Sequence, residues 1–362
     1  MKILYTYQGL MQRVGGVSRY FYEVITRITK SCDVDICTKY LSNEYFSQIL
    51  DKPKFNYSGF QHLRLQILLE KTNLYLKVLK GDFDIVHFTG YETVPFNIKK
   101  PVVVTVHDMV AELFYKDKNR IKQNKKAIMQ ADAIVCVSEN TKRDLLKFYP
   151  EVKDKLVKVI YHGYTPSVVE YKRVIDEQYI LFVGSRYGEY KNFLFFVSAI
   201  SDILKSYNLK LACTGGKFSD YELAEIKRFG VEKHIVNVGF VSDSELGSLY
   251  HFAQCFVYPS LYEGFGIPIL EAFSYDCPVC ASETSCFPEV GGDAVVYFNP
   301  KDKDSICSAI SKVISNKDLK EYLIRKGRDR MKLFSWDVAA QKTMKLYKEI
   351  ISKYNCSKNG KK

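Results

Sequence analysis

The sequence predicts an α/β protein built from two Rossmann-like, doubly wound domains. Short apolar runs alternate with helix-length amphipathic stretches along all 362 residues. Most of these runs are continuous rather than alternating, which is typical of parallel strands covered by helices on both faces. The segment His162–Gln178 lacks a convincing period and separates two sets of strands. Because such sheets bind ligands beyond the carboxyl ends of their strands, we expect the two domains to face a cleft.

The predicted strands fall into two sets, one for each domain. The first set is Lys2–Tyr7, Val34–Cys37, Ile85–Phe88, Val102–Val106, Ala133–Val137 and Val157–Ile160. The second set is Tyr179–Val183, Lys210–Cys213, Ile235–Val238, Cys255–Tyr258, Pro278–Cys280 and Ala294–Tyr297. We therefore predict an N-terminal domain over residues 1–165 and a C-terminal domain over residues 166–336. A last helix over residues 337–356 is expected to pack back on the N-terminal domain.

Charge is distributed unevenly along the chain. Residues 1–165 carry 26 Lys and Arg against 17 Asp and Glu, residues 166–339 carry 20 against 23, and residues 340–362 carry 7 against 1. The differences of +9, −3 and +6 account for the formal net charge of +12. A basic first half and a basic tail predict a face that attracts anions, and nucleic acid and an anionic membrane both fit that description.

The start of the chain and its cysteines favour a cytoplasmic protein. Met1–Tyr7 is too short an apolar run for a secretory signal, and no stretch reaches the roughly 18 apolar residues of a membrane-spanning helix. Ten cysteines without a repeating spacing favour a reducing compartment. Cys277 and Cys280, with Cys286 nearby, lack a fourth zinc ligand close in sequence. A peripheral position at the inner face of the membrane stays open.

Two segments of the first half place polar residues or glycines at the end of a strand. Gly15 and Gly16 precede a helix, where paired glycines let backbone N–H groups approach an anion. This loop is neither a G-x-G-x-x-G nor a Walker A sequence. His107 and Asp108 end a buried strand, where one side chain can bind substrate hydroxyls while the other fixes the loop. A plain turn and a structural histidine are the alternatives.

A basic turn follows the first strand of the second half. Arg186 and Lys191 lie five residues apart between Gly184 and a predicted helix. Arginine offers a fork of donors, lysine a compact charge, and the helix start adds its dipole, so the segment suits a diphosphate. A solvated basic turn is the alternative.

The strongest local pattern is Glu263-Gly-Phe-Gly-Ile-Pro-Ile-Leu-Glu271. An acidic, glycine-rich turn leads into a helix that contains Glu271, so both carboxylates can face one bound molecule. Carboxylates bind paired sugar hydroxyls and can balance a developing oxocarbenium charge. A capped surface helix is the alternative.

Two D-x-D strings, Asp33-Val-Asp35 and Asp82-Phe-Asp84, could in principle hold a divalent metal with a diphosphate. We expect each of them just before a strand, at the edge of the sheet opposite the ligand site. A solvated strand entry therefore explains them better, and no metal site is expected.

Taken together, these segments resemble the retaining GT-B glycosyltransferases of family 4, also called glycosyltransferase group 1, and among them the mannosyltransferases. The Glu263 to Glu271 spacing resembles the E-x7-E motif of that family. The further matches are Gly15-Gly16, His107-Asp108, Val137–Glu139, His162-Gly163, Gly184–Arg186, Lys191-Asn192, Gly239–Leu246, Phe287–Ala294 and Phe334–Trp336. The resemblance covers nearly the whole chain.

The resemblance implies a role for each matching residue of the second half. Arg186 and Lys191 would neutralise the diphosphate of a nucleotide sugar in place of a metal, and Glu271 would bind the ribose hydroxyls. Glu263 would hold the donor sugar. The remaining donor contacts are expected at the start of the helix and beside the base, from Phe265, Gly266, Ile267, Val241 and Asp243.

The resemblance also gives roles to the first half. Gly15 and Gly16 would reach the phosphate, and His107 would contact the sugar near the reacting carbon. No cofactor is implied beyond the nucleotide-sugar co-substrate. Tyr187–Tyr190 departs from the family, whose members often carry a basic residue before Lys-Asn, so the number of cations on the diphosphate stays open.

The function implied is retaining, metal-independent transfer of a hexose to a glycan or lipid-linked acceptor in cell-surface polysaccharide or glycoconjugate synthesis. GDP-mannose is modestly favoured, with UDP-glucose or a UDP-N-acetylhexosamine as alternatives. A nucleotide-sugar epimerase or a phosphorylase would keep the fold, and a basic membrane- or nucleic-acid-docking protein is the non-enzyme alternative. If the protein is a glycosyltransferase, an anionic membrane surface stays open as a partner, and nucleic acid is not expected as one. The acceptor would depend on loops such as Leu41–His62 and Met109–Ile121.

Overall fold

The computed structural model describes residues 1–13, 15–38, 43–48, 50 and 60–359, and the chain forms two compact units. Unit 1 comprises Met1–Gly163 and Trp336–Lys362, and unit 2 comprises Tyr164–Ser335. Most of the predicted acceptor loop Leu41–His62 lies outside the described residues. None of the described helices is long and apolar enough to cross a membrane.

Unit 1 is built on a parallel sheet of six strands in the order β2-β1-β3-β4-β5-β6. Its strands are β1 (Lys2–Tyr5), β2 (Asp33–Ile36), β3 (Ile85–Phe88), β4 (Val102–Val106), β5 (Ala133–Cys136) and β6 (Leu156–Val159). Its helices are α1 (Gly16–Ile28), α2 (Phe60–Lys80), α3 (Lys118–Gln130), α4 (Glu139–Phe148) and the C-terminal helix (Trp336–Asn359).

Unit 2 is built on a second parallel sheet of six strands, in the order β12-β11-β10-β7-β8-β9. Its strands are β7 (Tyr179–Phe182), β8 (Lys210–Thr214), β9 (Ile235–Gly239), β10 (Phe256–Tyr258), β11 (Val279–Ser282) and β12 (Val295–Phe298). Its helices are α5 (Phe193–Ser206), α6 (Asp220–Arg228), α7 (Asp243–Phe252), α8 (Ile267–Ser274), α9 (Phe287–Gly291), α10 (Lys303–Ser315) and α11 (Lys317–Met331).

The predicted α/β fold with doubly wound sheets is confirmed. Every predicted strand forms, and each end lies within two residues of its expected position. Every residue of β3, β4 and β5 is buried, as expected for strands covered on both faces. Apolar residues make up most of these strands, and the two polar ones, His87 and Thr105, hydrogen-bond each other at 2.8 Å.

Each sheet has one topological switch point, at which two adjacent strands lead to opposite sides of the sheet. In unit 1 it lies between β1 and β3, because β1 connects to β2 on one side while β3 leads to β4 on the other. In unit 2 it lies between β7 and β10 for the same reason. Loops that leave neighbouring strands in opposite directions open a crevice beyond the carboxyl ends of those strands. Each unit therefore has one edge position that favours a ligand.

The expected placement of the first D-x-D string was wrong, because Asp33 and Asp35 lie within β2 rather than before it. Asp33 begins β2, and Asp82 and Asp84 precede β3, so these three carboxylates lie at the amino ends of the strands, away from the switch-point edge. The carboxylates of both strings contact lysines: Lys77 Nζ contacts Asp35, and Lys2 Nζ lies 2.8 Å from Asp82 Oδ2. The Lys2 backbone N–H also donates to Asp84 at 2.8 Å. These carboxylates thus pair with nearby cations.

The C-terminal helix belongs to the core of unit 1. Trp336 and Tyr347 are buried in one cluster with Tyr5 and Phe21. The Tyr347 hydroxyl hydrogen-bonds the Tyr5 hydroxyl at 2.8 Å and also contacts His87 Nδ1. Burial lowers the pKa of His87 to about 3, so its ring is neutral at physiological pH. This polar network ties the end of the chain to the first and third strands.

We expect Tyr347→Phe to lower the free energy of unfolding of unit 1 by about 1–2 kcal/mol, because two buried polar groups lose a common partner. The protein has one tryptophan, Trp336, so its fluorescence during urea denaturation reports on unit 1. Tyr221→Phe is the control, since Tyr221 is an exposed residue of α6. Equal unfolding midpoints for the two variants would show that the network contributes nothing.

Candidate functional site

The loops that follow β7 and β10 are joined directly at the switch point of unit 2. The Leu261 N–H donates to the Tyr190 carbonyl at 2.7 Å. Asn192 has φ +57° and donates its side-chain amide to Pro259 O at 3.2 Å and to Pro300 O at 2.8 Å. The left-handed conformation is one that asparagine tolerates better than most residues. Asn192 therefore fixes the spacing between the two loops.

Lys191 and Glu263 form an ion pair across this junction. Lys191 Nζ lies 2.7 Å from Glu263 Oε1, and the two side chains are 17% and 15% exposed. The backbone of Glu263 is held by Ser285, whose Oγ accepts from Glu263 N at 3.1 Å and donates to Glu263 O at 2.6 Å. A lysine ammonium has three N–H groups, and this contact uses one of them. The pair thus presents a cation and a carboxylate side by side in a fixed position.

Glu271 occupies the fifth position of α8 and is largely buried. Its Oε2 accepts a hydrogen bond from the Tyr250 hydroxyl at 3.0 Å. Burial, reinforced by the Glu271 charge, raises the pKa of Tyr250 well above its ordinary value, so the phenol remains a donor. One carboxylate oxygen of Glu271 is therefore oriented from α7.

Gly266 determines how α8 begins. Its φ of +93° lies in the left-handed region, which other residues adopt only with strain. It occupies the N-cap without a side-chain cap, and Pro268 follows in the first turn of α8. Ile267 is the first helical residue, and Phe265 packs edge-on against Phe334 with ring centroids 5.7 Å apart. The sequence thus sets a helix start without a side-chain cap, three residues after Glu263 in the chain.

Arg186 is placed differently from Lys191. Its Nε donates to Glu222 Oε1 at 2.9 Å, and its terminal nitrogens donate to the carbonyls of Thr214, Gly216 and Lys217 at 2.6–3.3 Å. The guanidinium carbon lies 4.2 Å from the centroid of the Phe218 ring, and the Arg186 side chain is only 5% exposed. Most of its donors are thus committed within unit 2.

The partner of Arg186 is itself well fixed. Burial opposes ionisation of Glu222, but hydrogen bonds from Ser219 and the charge of Arg186 outweigh it, so the pKa of Glu222 lies below its ordinary value. Glu222 also completes a capping box with Ser219 at the start of α6. Arg186 therefore connects the loop after β7 to the loop after β8 and to α6.

Val241 and Asp243 lie beyond the carboxyl end of β9, two strands from the Lys191–Glu263 pair. Asp243 is exposed in the first turn of α7, which Ser242 and Glu245 cap. The neighbouring Phe240 is 90% exposed. A large aromatic residue in that position offers a flat apolar surface to a planar ligand.

The predicted site residues of unit 1 lie on two different loops. Gly15 is the N-cap of α1 and Gly16 its first residue, and the helix lacks a side-chain cap. His107 directly follows β4, and its ring packs edge-on against Tyr20 and His162 at centroid distances of 5.2 Å and 5.9 Å. Burial lowers the pKa of His107 to about 3, which keeps the imidazole neutral and able to accept or donate.

Sequence reasoning missed several residues that organise the site. The sequence indicates Asn192 only as part of a Lys-Asn pair, whereas in the structure its side chain joins two loops. Ser285 and Tyr250 hold Glu263 and Glu271, and Phe240 was not singled out. An asparagine next to a candidate cation, and an aromatic residue in a loop after a strand, were the available signals.

As a whole, the site can bind an anion and a polyhydroxyl group next to each other. Lys191 supplies the charge, while Glu263 and Glu271 supply acceptors for hydroxyl groups. Within the part of the chain that the structure describes, no group of three His, Cys, Asp or Glu side chains could hold a metal ion.

Known families match both units of the chain. Residues 169–330 match the family described as glycosyl transferases group 1, and residues 14–168 match glycosyltransferase family 4. The chain belongs to glycosyltransferase family 4. Membership of this family makes the protein a glycosyltransferase.

Curated relatives include mannosyltransferases. The chain is 25% identical to O-antigen chain mannosyltransferase B of Escherichia coli, over 96% of this chain and 100% of that protein. It is 28% identical to the O-antigen chain mannosyltransferase RfbU of Salmonella typhimurium, over 88% and 93% of the two chains.

Solved structures confirm the GT-B fold of this glycosyltransferase. Sucrose-phosphate synthase from Thermosynechococcus elongatus superposes with a TM-score of 0.75 at 18% identity, over 97% of this chain and 99% of that one. Anabaena HepE in complex with UDP and glucose gives a TM-score of 0.75 at 16% identity, over 96% and 100% of the chains.

We expect Arg186→Met to lower the free energy of unfolding of unit 2 by about 2–3 kcal/mol, because Glu222 and several carbonyls lose a buried cationic donor. Hydrogen exchange of unit 2 peptides measures the loss. The control is Lys217→Met, which removes the same charge from an exposed position on a neighbouring loop. A variant that lost donor binding with its stability unchanged would instead place the guanidinium on the ligand.

Proposed function

We propose that this glycosyltransferase moves a hexose from a nucleotide-diphosphate sugar to a glycan or lipid-linked acceptor in cell-surface polysaccharide synthesis, with retention of configuration and without a metal. GDP-mannose is the favoured donor because the relatives named above are mannosyltransferases. The observation that carries the proposal is the Lys191–Glu263 ion pair at the switch point of unit 2. In this proposal the cation of the pair would bind the phosphate and the adjacent carboxylate would bind the sugar.

In this proposal Lys191 is the cation that meets the diphosphate directly. Two of its N–H groups remain for phosphate oxygens after the contact with Glu263. The Ile267 N–H at the uncapped start of α8 would add a backbone donor beside the same anion, whereas Pro268 has no N–H and the Ile269 N–H donates to Gly266 O at 3.0 Å. Arg186 acts as a positioning residue, because its donors already hold the loop after β8.

The two carboxylates would bind different parts of the donor. Glu263 would bind sugar hydroxyls, and its charge would stabilise an oxocarbenium-like transition state. Glu271, oriented by Tyr250, would bind the ribose hydroxyls. Phe240 would offer its exposed ring to the base, beside Val241 and Asp243. The roles that the resemblance gives to Gly15, Gly16 and His107 remain part of the proposal.

The proposed route is front-face transfer. The bond between the anomeric carbon and the phosphate oxygen would break, and the acceptor oxygen would bond to the anomeric carbon on the same face. The departing nucleoside diphosphate would take the proton of the acceptor hydroxyl. Lys191 would stabilise the charge that grows on the leaving phosphate, where a preorganised cation is most effective. No side chain of the protein would form a covalent bond to the sugar.

A panel of nucleotide sugars tests the donor assignment. We expect GDP-mannose to raise the melting temperature more than UDP-glucose or UDP-N-acetylglucosamine, since binding at 100 times Kd adds about 2.7 kcal/mol to stability. Lys191→Ala and Glu271→Ala should each lower kcat/KM for transfer by about 100-fold or more. Exposed Lys217→Ala is the charge-matched control. Normal turnover by both site variants would disprove the site assignment.

Chelation tests the metal-independent mechanism. Because Lys191 and amide groups would neutralise the diphosphate, excess EDTA should leave the transfer rate unchanged within about twofold. Transfer is measured as release of nucleoside diphosphate from dialysed enzyme. Loss of activity that Mg²⁺ or Mn²⁺ restores would show that a cation takes part.

A further inference from the structure

A buried glutamate lies in the loop that follows β4 of unit 1. This loop begins at His107, and its middle part forms one π-helical turn, Ala111–Tyr115, before α3 starts. Glu112, the second residue of the turn, is only 7% exposed, whereas the neighbouring Leu113 and Phe114 are partly exposed. π-helical turns are rare and are frequent at functional sites. The chain thus buries a carboxylate while apolar side chains next to it remain in contact with water.

Two buried side chains hold Glu112 from different elements. Asn124 of α3 donates its amide to Glu112 Oε1 at 3.0 Å, and the Tyr149 hydroxyl, at the end of α4, donates to the same oxygen at 2.7 Å. Asn124 and Tyr149 are both 3% exposed. Burial, together with the hydrogen bond to Glu112, raises the pKa of Tyr149 well above its ordinary value, so the phenol remains a donor. The carboxylate therefore joins the loop after β4 to two helices.

Glu112 contributes little to stability for a buried charge. Its Oε2 is buried without a hydrogen-bond partner from the protein, and no described lysine or arginine forms an ion pair with it. Burying a carboxylate without a cation costs desolvation free energy, and a well-packed apolar side chain in such a position is often equally or more stabilising. The geometry that the carboxylate imposes on the loop therefore explains its presence better than stability does.

The anchored turn fixes the segment that carries His107. Residues 107–110 connect the end of β4 to the π-helical turn. Within this segment the Val110 N–H donates to Asp108 Oδ1 at 3.0 Å, and the Tyr91 hydroxyl donates to Asp108 O at 3.3 Å. Because only four residues lie between a strand of the sheet and an anchored turn, the backbone of His107 has little freedom to move.

Consecutive residues of α3 hold two neighbouring loops. Asn124 holds the loop after β4 through Glu112, and Gln123 donates its side-chain amide to Tyr91 O, at 3.1 Å, in the loop after β3. Since Tyr91 in turn donates to Asp108, the two loops and α3 form one closed set of contacts. The position of the segment that carries His107 thus depends on α3 as well as on β4.

We propose that Glu112 is a positioning residue for the transfer reaction, which holds the π-helical turn against Asn124 and Tyr149 and thereby fixes His107. The inference rests on the proposed function, in which His107 contacts the sugar near the reacting carbon. Glu112 itself touches no substrate, so it acts on the reaction only through the loop. Its loss therefore affects turnover rather than binding of the nucleotide sugar, for which unit 2 supplies most of the proposed contacts.

Hydrolysis of GDP-mannose by the full-length protein tests the kinetic part of the proposal, with water as the acceptor. The bond between the anomeric carbon and the phosphate oxygen breaks, the water oxygen bonds to that carbon, and the released GDP takes the proton. We expect Glu112→Leu, which removes the acceptor of both hydrogen bonds, to lower kcat about tenfold or more and to leave KM within about twofold. Glu112→Gln keeps a carbonyl acceptor and should retain kcat within about threefold.

Tyr149→Phe keeps the test decisive if Glu112→Leu does not fold. It removes one of the two donors to Glu112 and should lower kcat about threefold. Asp132→Ala is the control for stability, because Asp132 accepts from the Val102 N–H at 2.8 Å at the amino end of β4, away from His107. We expect the control to retain kcat within about twofold.

A double-mutant cycle shows through which residue Glu112 acts. Because residues that work as a unit are not additive, Glu112→Leu should lower kcat by less than about twofold in the His107→Ala background. The same substitution in the wild-type background gives the larger loss stated above. The two measurements separate an effect that passes through His107 from a general loss of structure.

Hydrogen exchange of the loop gives a readout that needs no activity. We expect the amides of residues 107–116 to exchange about tenfold faster or more in Glu112→Leu, while those of β5 exchange as in the wild type. If the wild type does not hydrolyse GDP-mannose and this local change is still seen, the proposed function fails and the anchoring of the loop by Glu112 stands.

Four outcomes would overturn the inference. Unchanged exchange of residues 107–116 in Glu112→Leu would show that the carboxylate does not hold the loop. Wild-type kcat in Glu112→Leu would show that holding the loop does not matter for turnover. A full further loss of kcat in the His107→Ala background would show that Glu112 acts independently of His107. An equal loss of kcat in Asp132→Ala would reduce the effect to the stability of unit 1.

Discussion

In each sheet, the connections that follow two neighbouring strands run toward opposite edges of the sheet. Much of the chemistry of this protein depends on that topology. A parallel sheet needs crossovers that are right-handed, so a change in the direction of strand order places consecutive connections on opposite faces. The loops after β1 and β3, and those after β7 and β10, therefore leave a crevice between them. Glu92 joins the first pair of loops, and the Lys191–Glu263 pair with Asn192 joins the second.

The two crevices have opposite arrangements of charge. In unit 2 a lysine and a glutamate are paired and largely removed from water before any ligand arrives, so the cost of desolvating and orienting them is met on folding. In unit 1 the carboxylate of Glu92 is buried and accepts from the Thr6 hydroxyl and from backbone N–H groups. The first arrangement fits a group with both phosphate and hydroxyls, whereas in the second the carboxylate serves the loops themselves.

The fold was predictable from sequence because both faces of each strand are buried, and this produces continuous apolar runs such as Val102–Val106. The E-x7-E loop and the Arg186–Lys191 segment were predictable because they combine charged residues and glycines just after a strand. The contacts that those residues make were not predictable from the sequence. Arg186 and Glu222 are 36 residues apart, and Lys191 and Glu263 are 72 apart. No local pattern distinguishes an arginine that binds a ligand from one that holds a loop.

The exposed leucines of α2 are a second feature that local sequence patterns could not predict. Helical periodicity predicts a buried stripe wherever leucines recur, but α2 has a buried face at Gln66, Glu70 and Leu74 and exposed leucines on the other. Which face meets the sheet depends on tertiary packing. The D-x-D strings likewise carry a metal-binding pattern, yet lysines of the same unit pair with them.

The most direct test uses calorimetry to measure the affinities of the wild type, Lys191→Ala and Glu263→Gln for GDP and for GDP-mannose. It shows whether Lys191 binds the phosphate while Glu263 binds the sugar. The account predicts that Lys191→Ala weakens both ligands, whereas Glu263→Gln weakens GDP-mannose and leaves GDP affinity unchanged within about threefold. Equal losses of both ligands in Glu263→Gln, or unchanged GDP affinity in Lys191→Ala, would contradict it.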